Sequence, residues 1–199
     1  MIETKKDLQY FLNADRIAMN LQDRHWIRDY LAASIAPWRI WSLVKCLRCL
    51  EYALNRYNKK HGVLRLVRYL FFKRKYFYLQ MQMGMFISPN VFGPGLNVVH
   101  PGYIWAASSS RVGKNCTILP RVLLGKKHPR TPAPCIFIGD DCYIGTGSTI
   151  LGPIHIGNNV TIAAGAVVVK DVPDNCIVAG NPATIIKYKT SSKNDEKIV

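Results

Sequence analysis

Between Glu51 and Asp140 the chain has no aspartate or glutamate, although fourteen lysines and arginines fall in that interval, from Arg56 to Arg130. A solvated face normally mixes signs. A one-signed stretch of this length points to a field that gathers phosphates, acidic sugars or anionic lipid headgroups. The chain as a whole follows suit, with 27 lysines and arginines against 12 acidic residues and a formal charge of +15. No recognition motif for nucleic acid accompanies the charge, so nucleic acid is not expected as the partner. Also missing is any run of 18 apolar residues, and the first seven residues hold no apolar segment of the kind a secretion signal needs. Neither a spanning helix nor a standard signal is expected, which leaves a cytoplasmic protein with peripheral contact at the inner face of a membrane as an option. Framework spacing is absent from the six cysteines, Cys46, Cys49, Cys116, Cys135, Cys142 and Cys176, so a disulfide-stapled fold is excluded and reduced thiols are expected. Cys46 and Cys49 form a CxxC without a second ligand pair, which reads as neighbouring turns of a helix rather than a metal site.

What the chain does have is a period of six. Ile138, Ile144, Ile150, Ile156, Ile162 and Val168 recur at that spacing, and Gly139, Gly145, Gly157 and Ala163 each follow one of them. Six fits neither the 3.6 of a helix nor an open-ended alternation of two; it fits a strand-and-turn unit that sends one branched side chain inward per short face. The same phase picks out Val112, Ile118 and Leu124, then skips to Ile138 across 14 residues, one step plus an eight-residue insertion. Short-period self-similarity predicts a solenoid. The stretch from Lys126 to Pro134 carries three prolines and no apolar stripe, so it is expected to project as a loop.

Residues 1–85 follow a helical period instead. Leu8, Phe11, Leu12, Ile17 and Leu21 make a first segment, with Thr4 and Asp7 placed to start it. Ile40, Leu43, Val44, Leu47, Leu50 and Leu54 mark a second, over residues 38–57, which a polar break from Asn58 to Gly62 ends. A third, over residues 64–82, combines an apolar stripe with a basic flank; it is expected to pack on the solenoid or a partner subunit, with a membrane surface as the alternative. The expected division is therefore a helical region 1–85, a solenoid 86–190 and a disordered tail 191–199.

Gly93, Pro94, Gly95, Leu96, Asn97, Val98, Val99, His100, Pro101 and Gly102, followed by Val112, Gly113, Lys114, Asn115, Cys116, Thr117 and Ile118, carry a resemblance. With the period of six, they make residues 87–187 similar to the left-handed parallel β-helix acyltransferases, and more narrowly to the serine acetyltransferase family and its sugar O-acetyltransferase relatives. The resemblance implies a mainly β fold, a left-handed parallel β-helix behind an N-terminal α-helical region. It also implies acetyl-CoA as donor, no metal, and a homotrimer with sites between adjacent subunits, with a dimer of trimers through the helices as a further option.

The implied chemistry needs a neutral imidazole to take the proton of an attacking hydroxyl, and His100 stands where the family has that base. The matching segment from Gly84 to Ser88 has no carboxylate to orient the ring, so a backbone carbonyl is expected to do so. His128 and Lys127 match a substrate-contacting segment, Gly125, Thr146 and Ala164 match small positions along the coenzyme arm, and Lys170 is a candidate phosphate contact. Where serine acetyltransferases place an aspartate before the base, this chain has Val99, and an ammonium buried without a carboxylate is costly. The expected acceptor is therefore a sugar hydroxyl of a polysaccharide or its precursor, acidic or lipid-linked. Serine O-acetylation is the alternative within the enzyme class, and a non-catalytic trimeric scaffold at a membrane surface the alternative outside it. A zinc hydrolase on the same solenoid would need three converging histidines. His100 and His155 lie 47 residues apart once the insertion is removed, not the 54 of three 18-residue coils, and His155 precedes an inward Ile156, which predicts an outward ring.

Overall fold

Thr4 sets the first helix. In the computed structural model its hydroxyl accepts from Asp7 N–H at 3.1 Å while the Asp7 carboxylate accepts from Thr4 N–H at 2.8 Å, the reciprocal cap that opens α1, Lys5–Ala18. The structure describes residues 1–21, 27 and 36–189; the expected tail 191–199 and His25 lie outside them. Helix α2, Ala36–Lys59, buries Ile40, Leu43, Val44, Leu47 and Leu50, and carries Cys46 and Cys49 on its turns. After the polar break, α3 runs over Val63–Met83 and stops at Gly84, whose φ of +67° suits glycine and whose N–H donates to Gln80 O at 2.8 Å.

Among the described residues fourteen strands follow. One sheet stacks β1 (Met85–Ile87), β3 (Ile104–Ala106), β6 (Val122–Lys126), β9 (Thr149–Gly152) and β12 (Val167–Val168). A second stacks β4 (Ser110–Val112), β7 (Ile136–Ile138) and β10 (Ile154–Ile156), extended by bridges at Phe92 and Val172. The third stacks β2 (Asn97–Val98), β5 (Thr117–Ile118), β8 (Tyr143–Ile144), β11 (Thr161–Ile162) and β13 (Cys176–Gly180). All these pairings are parallel, giving a three-sided β-helix with one coil added per three strands. Among the described strands only β14, Ala183–Tyr188, runs antiparallel, against β13, and it covers that edge of the third sheet. The side chains of the period-six residues from Val112 to Val168 are buried, so the predicted inward column is observed. Lys126 closes β6 rather than opening the loop, and the projecting segment is 127–135.

The turn between the second and third sheets explains the small residues. A Cβ on Gly93 would lie 2.6 Å from Gly113 O, and one on Gly139 would meet Gly157 C at 2.8 Å, because successive coils approach closely there. Two residues on, each coil has a left-handed residue: Gly95, Asn115, Asp141, Asn159 and Asn175. Their side chains tie neighbouring coils, with Asn115 Nδ2 donating to Asp141 Oδ1 and Asn159 Nδ2 to Asn175 Oδ1, both at 2.9 Å. The following position is inward, and there Cys116, Cys142 and Cys176 share one column, so half of the cysteines that looked scattered are equivalent core residues.

Helices and solenoid share one apolar cluster, in which Leu43 and Leu47 join Ile87, Val91 and Leu96, and a division at 85/86 would cut β1. A buried ionic group reinforces the junction. Arg48, fully buried under the Phe11 ring, pairs with Asp15 at 2.7 Å and Glu51 at 2.9 Å, and donates to Phe92 O and Gly93 O. Asp15 Oδ1 also accepts from Gly95 N–H and Leu96 N–H, and Glu51 from Asn90 N–H. Burial pushes the Glu51 carboxyl above its ordinary range against the pull of Arg48. Residues 90–96, the turn that leads to β2 and His100, are thus held by helical side chains at Asn90, Phe92, Gly93, Gly95 and Leu96.

Candidate functional site

His100 sits where the third sheet turns into the first. Val99 N–H donates to Ile118 O at 3.3 Å, so the register of β2 on β5 continues for another residue and brings His100, Pro120, Thr146 and Ala164 to the same corner in successive coils. Thr146 Oγ1 donates to Pro120 O at 2.8 Å, which turns its hydroxyl along the corner. His100 and Val99 are exposed, and beside them on the outer face of the first sheet stand half-exposed Tyr103 and Trp105, the latter against the Phe86 ring. Among the described residues neither a carboxylate nor a carbonyl hydrogen-bonds the His100 ring, so the backbone partner expected for it is not observed.

The remaining candidates gather at the opposite edge of the first sheet. Gly125 in β6 lies against Leu151, and a Cβ there would approach Leu123 Cδ2 at 3.1 Å. Lys126 and Lys127 brace the loop through their ammonium groups, the first donating to Thr131 O and the second to Val169 O. His128 is exposed, and its Nδ1 accepts from Arg130 N–H at 3.2 Å, which leaves Nε2 as the outward atom. Lys170, exposed, follows the residue that holds Lys127. Lys127 therefore ties the loop to the last coil instead of standing free.

A single chain thus brings His100, Thr146 and Ala164 together, and Gly125, Lys127, His128 and Lys170 together, but it does not bring the two groups to one another. His155 belongs to neither: its exposed ring stacks on Phe137 at 5.0 Å on the second sheet, outward as expected. His61 lies at the turn between α2 and α3, 4.9 Å from the Tyr57 ring. No group of three histidine, cysteine or acidic residues is placed to hold a metal among the described residues.

Comparison with known proteins gives the arrangement a context. The family described as bacterial transferase hexapeptide (six repeats) matches residues 136–170. A serine acetyltransferase of Arabidopsis thaliana mitochondria is 38% identical over 113 residues, 53% of this chain and 27% of that protein. The serine acetyltransferase of Neisseria gonorrhoeae superposes with a TM-score of 0.71 at 26% identity, over 95% of this chain and 70% of that one. The chain is a left-handed hexapeptide β-helix that resembles the serine acetyltransferases. A Brucella abortus serine acetyltransferase solved with coenzyme A also matches, with a TM-score of 0.67 and 26% identity over 94% of this chain and 71% of that one. The expected fold is therefore observed, helices included, although the chain spans only about a quarter of the Arabidopsis relative's length.

Two features of the site are not singled out by the sequence analysis. The Arg48 group lies among the apolar positions of its helix, and its signal is an arginine and a glutamate three apart, Arg48 and Glu51, inside the run that faces the core. Pro120, whose carbonyl receives Thr146, is legible only once the coil register is known.

Proposed function

We propose that the protein is an acetyl-CoA-dependent O-acetyltransferase, working as a homotrimer, with serine as its acceptor. The observation that carries the reading is the exposed corner on which His100 shares its register with Thr146 and Ala164, in a chain similar over most of its length to serine acetyltransferases. In this reading the His100 imidazole takes the acceptor hydroxyl's proton as the oxygen attacks the acetyl carbonyl. The carbon–oxygen bond forms, the carbon–sulfur bond breaks, and the proton passes to the departing thiolate of coenzyme A. Small side chains at Thr146 and Ala164 leave room for the pantetheine arm beside the solenoid. The separation of His100 from His128 across the first sheet supports a site completed by a neighbouring subunit, so that the loop of one chain faces the His100 corner of the next.

One observation favours a second acceptor. Val99, exposed beside the base, offers no carboxylate to an amino acid's ammonium, which suits a sugar hydroxyl of a polysaccharide or its precursor. Thiol release from acetyl-CoA, followed with free serine beside a panel of neutral, acidic and lipid-linked glycans, separates the two. Turnover with serine above every glycan is expected; turnover confined to glycans transfers the proposal to sugars, and no turnover with any acceptor leaves the scaffold reading.

A further inference from the structure

Helix α3 has two unlike sides. One packs on α2 and the first coil through Tyr69, Phe72, Tyr76, Leu79 and Met83, with Tyr76 Oη donating to Ile87 O at 2.8 Å. On the other side, Leu64, Val67, Phe71, Tyr78 and Met81 are all more than half exposed, Leu64 reaching 84%. Their spacing of three and four, with Arg74 completing the row, makes one straight stripe about 25 Å long. Val63, Leu70 and Phe77 widen it.

Charge flanks the stripe on both edges. By helical phase Lys73 lies along one edge, and Arg68 and Lys75 along the other; all three are exposed. Arg74, within the row, has a stem long enough to lie along apolar surface while its head group reaches out. The helix holds five cations and no acidic residue. At its first turns the stripe runs into a groove of about 840 Å³ between α2 and α3, lined by Ala53, Val67 and Phe71 together with Arg56, Lys60, Arg65 and Arg68. No helix among the described residues is long and apolar enough to cross a membrane.

We propose that this face of α3 lies in the headgroup boundary of an anionic lipid bilayer, the stripe inserted and the flanking cations on lipid phosphates. Charge complementarity selects this occupant. A second copy would set one all-cationic helix against another, with no carboxylate on either face to separate the charges. An anionic bilayer supplies apolar depth and negative charge at the heights where the helix presents their complements. The inference is independent of the acetyl-transfer reading, since α3 holds none of the residues placed at the two corners.

The test is co-sedimentation of the full chain with vesicles of phosphatidylcholine alone and of phosphatidylcholine mixed with phosphatidylglycerol. Binding is expected only to the mixed vesicles and is expected to weaken as salt rises. The double variant Lys73→Ala, Arg74→Ala is expected to bind about 25-fold more weakly, from roughly 1 kcal/mol per cation at an anionic surface. Leu64→Glu with Phe71→Glu is expected to abolish binding while leaving the thermal midpoint and turnover of a soluble acceptor unchanged, because both side chains are exposed. Equal binding to neutral and anionic vesicles, no binding to either, or a Leu64→Glu, Phe71→Glu variant that changes the oligomer's mass without changing vesicle binding would each overturn the proposal.

Discussion

The two corners that hold the candidate residues differ in what positions them. The corner with His100 comes at the end of a turn whose carbonyls and amides are bound by Arg48, Asp15 and Glu51, so its placement depends on the helices. The corner with His128 is braced within the solenoid, by Lys126 on Thr131 and Lys127 on Val169. A buried ionic clamp is rigid but intolerant of losing one member; a loop tied by surface lysines, Lys126 half-buried and Lys127 exposed, is adjustable and tolerates change. The difference fits the proposed function, in which one corner would hold a base at a fixed place and the other would accommodate a substrate.

Substitutions that act on one corner alone sharpen this contrast. His100→Ala is expected to lower kcat for acetyl transfer by about 10²–10⁴-fold, the range for losing a general base, whereas His128→Ala is expected to act mainly on acceptor KM, by about tenfold, both read by steady-state thiol release. Arg48→Ala leaves two buried carboxylates without their cation and is expected to cost about 3–5 kcal/mol in chemical denaturation. Its activity loss should follow the His100 pattern, in kcat, rather than the His128 pattern; an effect confined to KM would break the proposed dependence of the first corner on the helices. The smallest effect concerns the thiols. Burial pushes Cys46 up to about 11, and burial also raises Cys49, Cys116, Cys142 and Cys176. Raised values mean less thiolate at neutral pH, so alkylation of the native protein at pH 7 should be at least about tenfold slower than of the unfolded chain and should speed up as pH rises.

Much of this was legible in the sequence, and the part that was not has a physical reason. The period of six identified the inward column from Val112 to Val168, and among the described residues helical spacing placed α2 and α3 to within two residues, while the first segment was carried through Leu21, three residues past the end of α1. Three such steps make a coil, however, so the phase within one step is blind to which of three sides a residue occupies. Gly125 follows the inward Leu124 on the first sheet, while Thr146 and Ala164 come two places after the inward Ile144 and Ile162 on the third. The resemblance groups the three along the coenzyme arm, and the structure places Gly125 at one edge of the first sheet and Thr146 and Ala164 at the other. Arg48 was hidden differently: on its helix it occupies a core-facing position, made tolerable by Glu51 on the same helix together with the carboxylate of Asp15, 33 residues away, and the carbonyls of Phe92 and Gly93.

The most direct test of a site completed between chains is assembly of mixed oligomers from His100→Ala and His128→Ala chains, assayed at subsaturating acceptor. In a closed three-fold ring each mixed trimer contains one interface with both histidines intact, so random mixing is expected to restore about a quarter of wild-type activity. Activity no greater than the average of the two pure variants would contradict it, and would mean that His100 and His128 do not serve a common site across a subunit boundary.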